Sequence, residues 1–179
     1  ICDVHKNDWF CEAVQFVTEK NLFNGTSATN FSPNTDMSRA MLVTVLHRLA
    51  GKPTPTKPSG FSDVYVGEWY SEAVSWAAEN KIVSGNGNGF DPNGSITREA
   101  LATILYRYAK FKGFDVAKTN DLAKFNDAAK VSDWAQSAMK WSVGTGLIAG
   151  RTATALAPCG NAVRAEVAAM LRRFVTDIV

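Results

Sequence analysis

The chain has 179 residues and a mass of 19.4 kDa, with 46% apolar and 20% charged residues. That balance excludes a disordered or low-complexity polypeptide and suffices for a sizeable core. Nineteen basic against seventeen acidic residues leave a formal charge of +2 with no basic stripe, so no nucleic-acid partner is expected. No apolar run approaches the ~20 residues that cross a bilayer, so no membrane insertion is expected, and any export signal is expected to lie outside this sequence.

The predicted elements repeat along the chain. The Asp at 3, 63 and 127 recurs at intervals of 60 and 64 residues, the Trp at 9, 69 and 134 at 60 and 65, and the Gly at 25, 85 and 150 at 60 and 65. Pro33, Pro92 and Pro158, then Arg39, Arg98 and Arg164, follow in the same order at 59 and 66. Such self-similarity marks a repeat architecture. The units are residues 1–52, 61–118 and 119–179. Pro53, Pro55 and Pro58 make 53–60 a linker, because proline fixes φ and lacks a backbone donor. Residues 114–124 lack such punctuation and leave room for an extra helical turn.

In the first unit a helix is predicted near Asp8, with Trp9, Ala13 and Phe16 on one face. The loop GTSATNFSP follows, and a second helix opens at Arg39 with Leu42, Val45, Leu46 and Leu49 at helical spacing. The second unit repeats this from Glu68, with Trp69, Ala73 and Trp76, the loop GNGNGFDP, and a helix from Arg98 carrying Leu101, Ile104, Leu105 and Tyr108. In the third unit Asp133 and Gln136 have capping-box spacing, Trp134, Ala138 and Trp141 form the stripe, and GRTATALAP leads to Arg164, Val167, Met170, Leu171 and Phe174. The acidic residues suit the positive end of a first helix. The fold class is all-α, with three helix-loop-helix repeats. Two apolar stripes exceed what one unit covers, so the units share a core. Phe31, Phe90 and Leu156 are expected to plug each loop onto it.

Other chemistry is weakly signalled. Gly85 to Gly89 (GNGNG) lacks the Lys-Ser or Lys-Thr of a phosphate loop. Asn88, Asp91 and Asn93 do not match a calcium loop, and His5 and His47 have no counterparts in the other units, so neither a metal nor a cofactor is expected. Cys2, Cys11 and Cys159 leave open one bridge, Cys2 to Cys11, or free thiols.

The segment FSDVYVGEWYSEAVSWAAENKIVSGNGNGFDPNGSITREALATILYRY resembles an S-layer homology repeat, and the flanking units resemble two more. The family's Thr-Arg-Ala-Glu signature is met incompletely, as SRAM from Ser38, TREA from Thr97 and VRAE from Val163. The resemblance implies a pseudo-threefold bundle with grooves between repeats, monomeric, outside the cell, in the cell wall or surface layer. It implies noncovalent binding of anionic secondary cell wall polysaccharide, commonly through a pyruvate ketal on an amino sugar. Carried over, the anion-binding residue is Arg39, Arg98 or Arg164; the groove glycines are Gly25, Gly85 and Gly150; Asp3, Asp63 and Asp127, with Trp9, Trp69 and Trp134, complete the set.

Physically, the arginine stands at the first helical position beside free amides, where a carboxylate would gain amide bonds and a forked guanidinium pair. The same aspartates suit turns or caps as well as sugar contacts. The three tryptophans are read as core, with an indole N–H near enough to a groove edge to meet a sugar. Arg48, Arg107 and Arg173 recur too and are read as structural. The leading function is a non-enzymatic carbohydrate-binding anchor; the alternative is a protein-interaction or lattice-assembly module. A hydrolase using Asp63 and Glu99 ranks last, since repeats make sites alike whereas acid and base need different environments.

Overall fold

The computed structural model describes residues 1–85, 87 and 89–179. Among them six helices carry the fold: α1 (Cys11–Glu19), α2 (Arg39–Leu49), α3 (Ser71–Glu79), α4 (Arg98–Phe111), α5 (Gln136–Gly144) and α6 (Arg164–Asp177). Two single 3₁₀ turns precede α5, and the only extended pairings among the described residues are three isolated antiparallel bridges.

The second helix of each unit starts at the predicted arginine. The Ser38 and Thr97 hydroxyls accept from the amides of Met41 at 3.1 Å and Ala100 at 3.2 Å, as N-caps do. Val163 has no hydroxyl, and the other half of a capping box compensates: the Val163 amide donates to Glu166 at 3.3 Å.

The first helices start later than the acidic residues predict. The main-chain carbonyls of Asp8 and Glu68 accept from the amides of Cys11 and Ser71, both at 3.0 Å, closing a turn before the helix rather than capping it. Asp133 lies in the 3₁₀ turn Asp133–Ala135, and Gln136 donates its side-chain amide to the Val131 carbonyl at 3.0 Å, so the expected capping box does not form.

Packing ignores the boundaries of the sequence units. α3 lies on α2, α5 on α4, and α1 on α6. Each unit's first helix therefore covers the second helix of the unit before it, and the third unit is covered by the first. One continuous cluster of buried apolar residues results. At its centre Met37, Ile96 and Ala162 close a ring of main-chain bonds: Met37 N–H to Ala162 O at 2.9 Å, Ala162 N–H to Ile96 O at 3.0 Å, and Ile96 N–H to Met37 O at 2.8 Å. This ring is the pseudo-threefold axis of an all-α bundle.

Residues 53–60 form no helix. The linker is tied down by His47 on the Pro53 carbonyl at 2.8 Å, by Glu79 accepting from Thr56, and by the Ser59 amide on the Ser75 hydroxyl at 3.1 Å. Residues 114–124 add no helical turn. They lie against α5, where a Cβ on Gly144 would come 2.6 Å from Thr119 Cα.

Candidate functional site

Each aspartate that opens a unit fastens that unit's loop. Asp3 accepts from the amides of Phe31 and Ser32, both at 2.7 Å. Asp63 accepts from Phe90 and Asp91, and Asp127 from Leu156 and Ala157, all at 2.8 Å. The second partner in each pair, Ser32, Asp91 or Ala157, holds a left-handed backbone with φ of 59°, 59° or 51°. The carboxylate offsets that strain. The amide bonds hold Asp63 and Asp127 below the usual carboxylate range. Phe31, Phe90 and Leu156 are wholly buried, as the plug reading expects.

The groove glycines answer to the same loops. A Cβ on Gly25 would meet Asn30 O at 2.3 Å, and one on Gly85 would meet Gly89 O at 2.3 Å. Gly150, at φ +87°, would bring a Cβ within 2.7 Å of the Phe125 ring. No side chain fits there without moving the loop.

The free amides expected at the arginine openings are already engaged. Arg39 and Ala40 donate to Gly94 and Pro92 at 2.9 Å; Arg98 and Glu99 donate to Gly160 at 2.8 Å and Pro158 at 2.9 Å; Arg164 and Ala165 donate to Thr35 and Pro33 at 2.9 Å. The first two amides of each second helix are thus satisfied by the next loop in the ring. Each arginine also crosses that joint, its Nε donating to the plug residue's carbonyl: Arg39 to Phe90 at 2.9 Å, Arg98 to Leu156 at 3.0 Å, Arg164 to Phe31 at 2.9 Å.

Beyond Nε the three openings part company. Arg39 stacks over the Phe90 ring at 4.9 Å, and among the described residues its terminal nitrogens have no hydrogen-bond or ion-pair partner. It faces a cavity of about 300 Å³ lined by Gly85, Ala100, Thr103, Arg107 and Trp134, which we term groove 1. Burial lowers the Arg39 pKa and the fields of Asp91 and Asp63 oppose this; it remains cationic at neutral pH.

Arg98 faces groove 2, a cavity of about 150 Å³ lined by Gly150, Met170, Arg173 and Trp9. Here Nη1 donates to Glu166 at 2.8 Å, and the second Glu166 oxygen lies 3.4 Å from Arg151. Leu156 replaces the aromatic plug, so Arg98 has no ring beneath it. Arg164 turns its Nη2 onto the Asn24 carbonyl at 2.5 Å and lies over the Phe31 and Phe23 rings at 4.8 and 5.2 Å.

Two readings are corrected. Trp9, Trp69 and Trp134 are not core: they precede their helices and are 67%, 58% and 56% exposed. Trp9 and Trp134 line the two grooves, while the buried indoles belong to Trp76 and Trp141. Arg107 and Arg173, read as lying over the core, in fact line the grooves, and each adds a second cation to one. Arg173 donates to Leu147 O at 3.1 Å, Arg107 makes a long 3.5 Å contact with the Ser84 hydroxyl, and Arg48 donates to Leu22 O at 2.9 Å. Their recurrence at 59 and 66 residues was the available signal.

Glu99, the general acid or base of the hydrolase reading, is buried, and its two oxygens accept from the Ser132 amide at 2.9 Å and hydroxyl at 2.7 Å. Asp63 is held by its loop, so the pair shares no cavity described above. Among the described residues no cluster of three or more His, Cys, Asp or Glu is placed to hold a metal; Asn88 of the Asn88, Asp91, Asn93 set lies outside them. All three cysteines are free, and no described helix is long and apolar enough to cross a membrane.

The S-layer homology domain family model matches three tandem stretches, residues 3–40, 60–102 and 124–168. Among curated relatives, an amylopullulanase of Thermoanaerobacterium thermosulfurigenes is 31% identical over 93% of this chain, and an S-layer protein of Bacillus thuringiensis subsp. finitimus is 28% identical over 96%. The chain spans 9% and 21% of those proteins' lengths. A solved undecaheme cytochrome from the S-layer of Carboxydothermus ferrireducens is 25% identical, with a TM-score of 0.41, over 78% of this chain and 22% of that one.

Proposed function

This chain belongs to the S-layer homology domain family, and from that premise we propose that it anchors a larger surface protein, noncovalently and outside the cell, to anionic secondary cell wall polysaccharide. The ligand group is a carboxylate on a sugar, such as a pyruvate ketal, and its site is groove 1. Matches to surface-layer proteins and to a polysaccharide-degrading enzyme support a shared attachment module rather than a shared reaction.

The observation that carries the reading is the Arg39 fork, unpaired among the described residues. A half-buried guanidinium with free terminal nitrogens, beside a second arginine and an exposed indole, suits a carboxylate on a pyranose ring. The fork binds the acid bidentately, Arg107 adds field, and Trp134 offers an apolar face for the ring. A repeating polymer multiplies one moderate site through rebinding.

The test is retention of the purified chain on wall polysaccharide before and after mild acid removal of the ketal. Retention should vanish with the ketal and with Arg39→Ala. No retention on the intact polysaccharide would instead favour the protein-assembly reading, and retention indifferent to both changes would rule out the ketal and Arg39 as its basis.

A further inference from the structure

The three openings differ at one position that their family pattern treats as equivalent, the third residue of each second helix. Facing Arg39 across groove 1 it is Ala100; facing Arg98 across groove 2 it is Glu166; the corresponding residue of α2, whose unit receives Arg164, is Met41. Asp63 and Asp127 do not explain the difference, because both direct their oxygens to loop amides at 2.8 Å. Asp91 reaches Arg39 only as a longer-range field, with no ion pair formed. Among the described residues Glu166 is the one carboxylate that touches a groove arginine, at 2.8 Å, with the Arg98 side chain 7% exposed.

We infer that Glu166 is an internal carboxylate that takes the ligand's place on Arg98, so that groove 2 refuses acidic sugar and the chain offers groove 1 as its anion site. The inference rests on the anchoring reading and assigns its specificity to one residue. A ligand carboxylate entering groove 2 must displace Glu166 and leave it facing the newcomer, two like charges sharing one guanidinium in a partly desolvated cleft. In groove 1 the Ala100 methyl presents no competitor. Glu166 acts through Arg98, so it is a positioning residue, and its removal should add binding rather than abolish it.

A reciprocal exchange tests this, read through the indole N–H signals of Trp134 in groove 1 and Trp9 in groove 2. The probe is the methyl glycoside of an N-acetylhexosamine bearing a pyruvate ketal, with the same glycoside lacking the ketal as control. In the unaltered chain the ketal should shift Trp134 and leave Trp9 unmoved. Glu166→Gln keeps size and much of the cap; Trp9 should then titrate as well, groove 2 gaining about tenfold or more in affinity from the released charge-assisted bonds. Ala100→Glu places the acid opposite Arg39 and completes a capping box with Thr97; the Trp134 response should weaken by about tenfold.

Equal titration of Trp9 and Trp134 in the unaltered chain would overturn the inference. So would a silent Trp9 in a folded Glu166→Gln variant whose Trp134 still responds. A Trp134 that never responds in the unaltered chain overturns the anchoring reading itself and leaves Glu166 nothing to exclude. Should Glu166→Gln fail to fold, Ala100→Glu decides alone: undiminished binding at Trp134 sinks the inference.

Discussion

Grooves 1 and 2 are built from the same parts in the same order, yet among the described residues one guanidinium has no acidic partner and the other is neutralised. Both have an arginine from the preceding unit on a loop carbonyl, a loop glycine, a second arginine from the facing helix and an exposed tryptophan from the unit beyond. They differ in a phenyl ring under Arg39, absent under Arg98, and in Glu166 where groove 1 has Ala100. Quasi-identical architecture therefore does not make equivalent sites. On the proposed reading, the occupant of one helical position decides whether a cation serves the ligand or the fold.

The sharpest break between the two is expected on removing their arginines. Arg98→Ala strips Glu166 of its buried partner and should lower stability by about 2–4 kcal/mol while leaving ligand binding nearly unchanged. Thermal or urea unfolding, set beside a sugar titration, checks both halves. Arg39→Ala should do the opposite: affinity falls about 10- to 100-fold, whereas stability falls by about 1 kcal/mol for the lost bond to Phe90 O. Equal stability losses in the two variants would erase the distinction.

A finer test uses the exposed indoles. Trp134→Ala should weaken binding several-fold and cost less than about 1 kcal/mol of stability, as suits a mostly exposed side chain. Trp9→Ala, in the neutralised groove, should leave acidic-sugar binding unchanged. The smallest effect concerns pH. Asp63 and Asp127 are held below their unfolded values by loop amides, so their contribution is complete above the ordinary carboxylate pKa and fades as pH falls through the depressed folded values. Melting temperature should drop on acidification, and Asp127→Asn should flatten part of that slope.

Much of this was legible in the sequence. The second helices announce themselves through residues next to one another: a hydroxyl cap at Ser38 or Thr97, then Arg, then an apolar stripe. The first helices were misplaced by three residues because Trp9, Trp69 and Trp134 match the apolar period while lying in a turn just before it. Periodicity counts an indole as buried without asking which side of the helix boundary it occupies. The amides at Arg39, Arg98 and Arg164 looked free because their acceptors, Gly94, Gly160 and Thr35, belong to another unit. The pairing of Arg98 with Glu166 spans 68 positions, and no local pattern encodes a contact between two units of the closed ring.

That closure has a mechanical corollary. Two of the three joints between neighbouring units are crossed by the polypeptide itself, but the third unit meets the first with no covalent connection, through apolar packing of α1 on α6, an exposed Glu12–Arg172 contact at 2.9 Å and the hydrogen bonds of Met37, Arg164 and Ala165 across the joint. The molecule is a split washer whose gap is closed by noncovalent contacts alone. Tension applied between its two ends loads that seam first, so an anchor pulled by one terminus alone keeps its ring shut, while a pull on both opens it there.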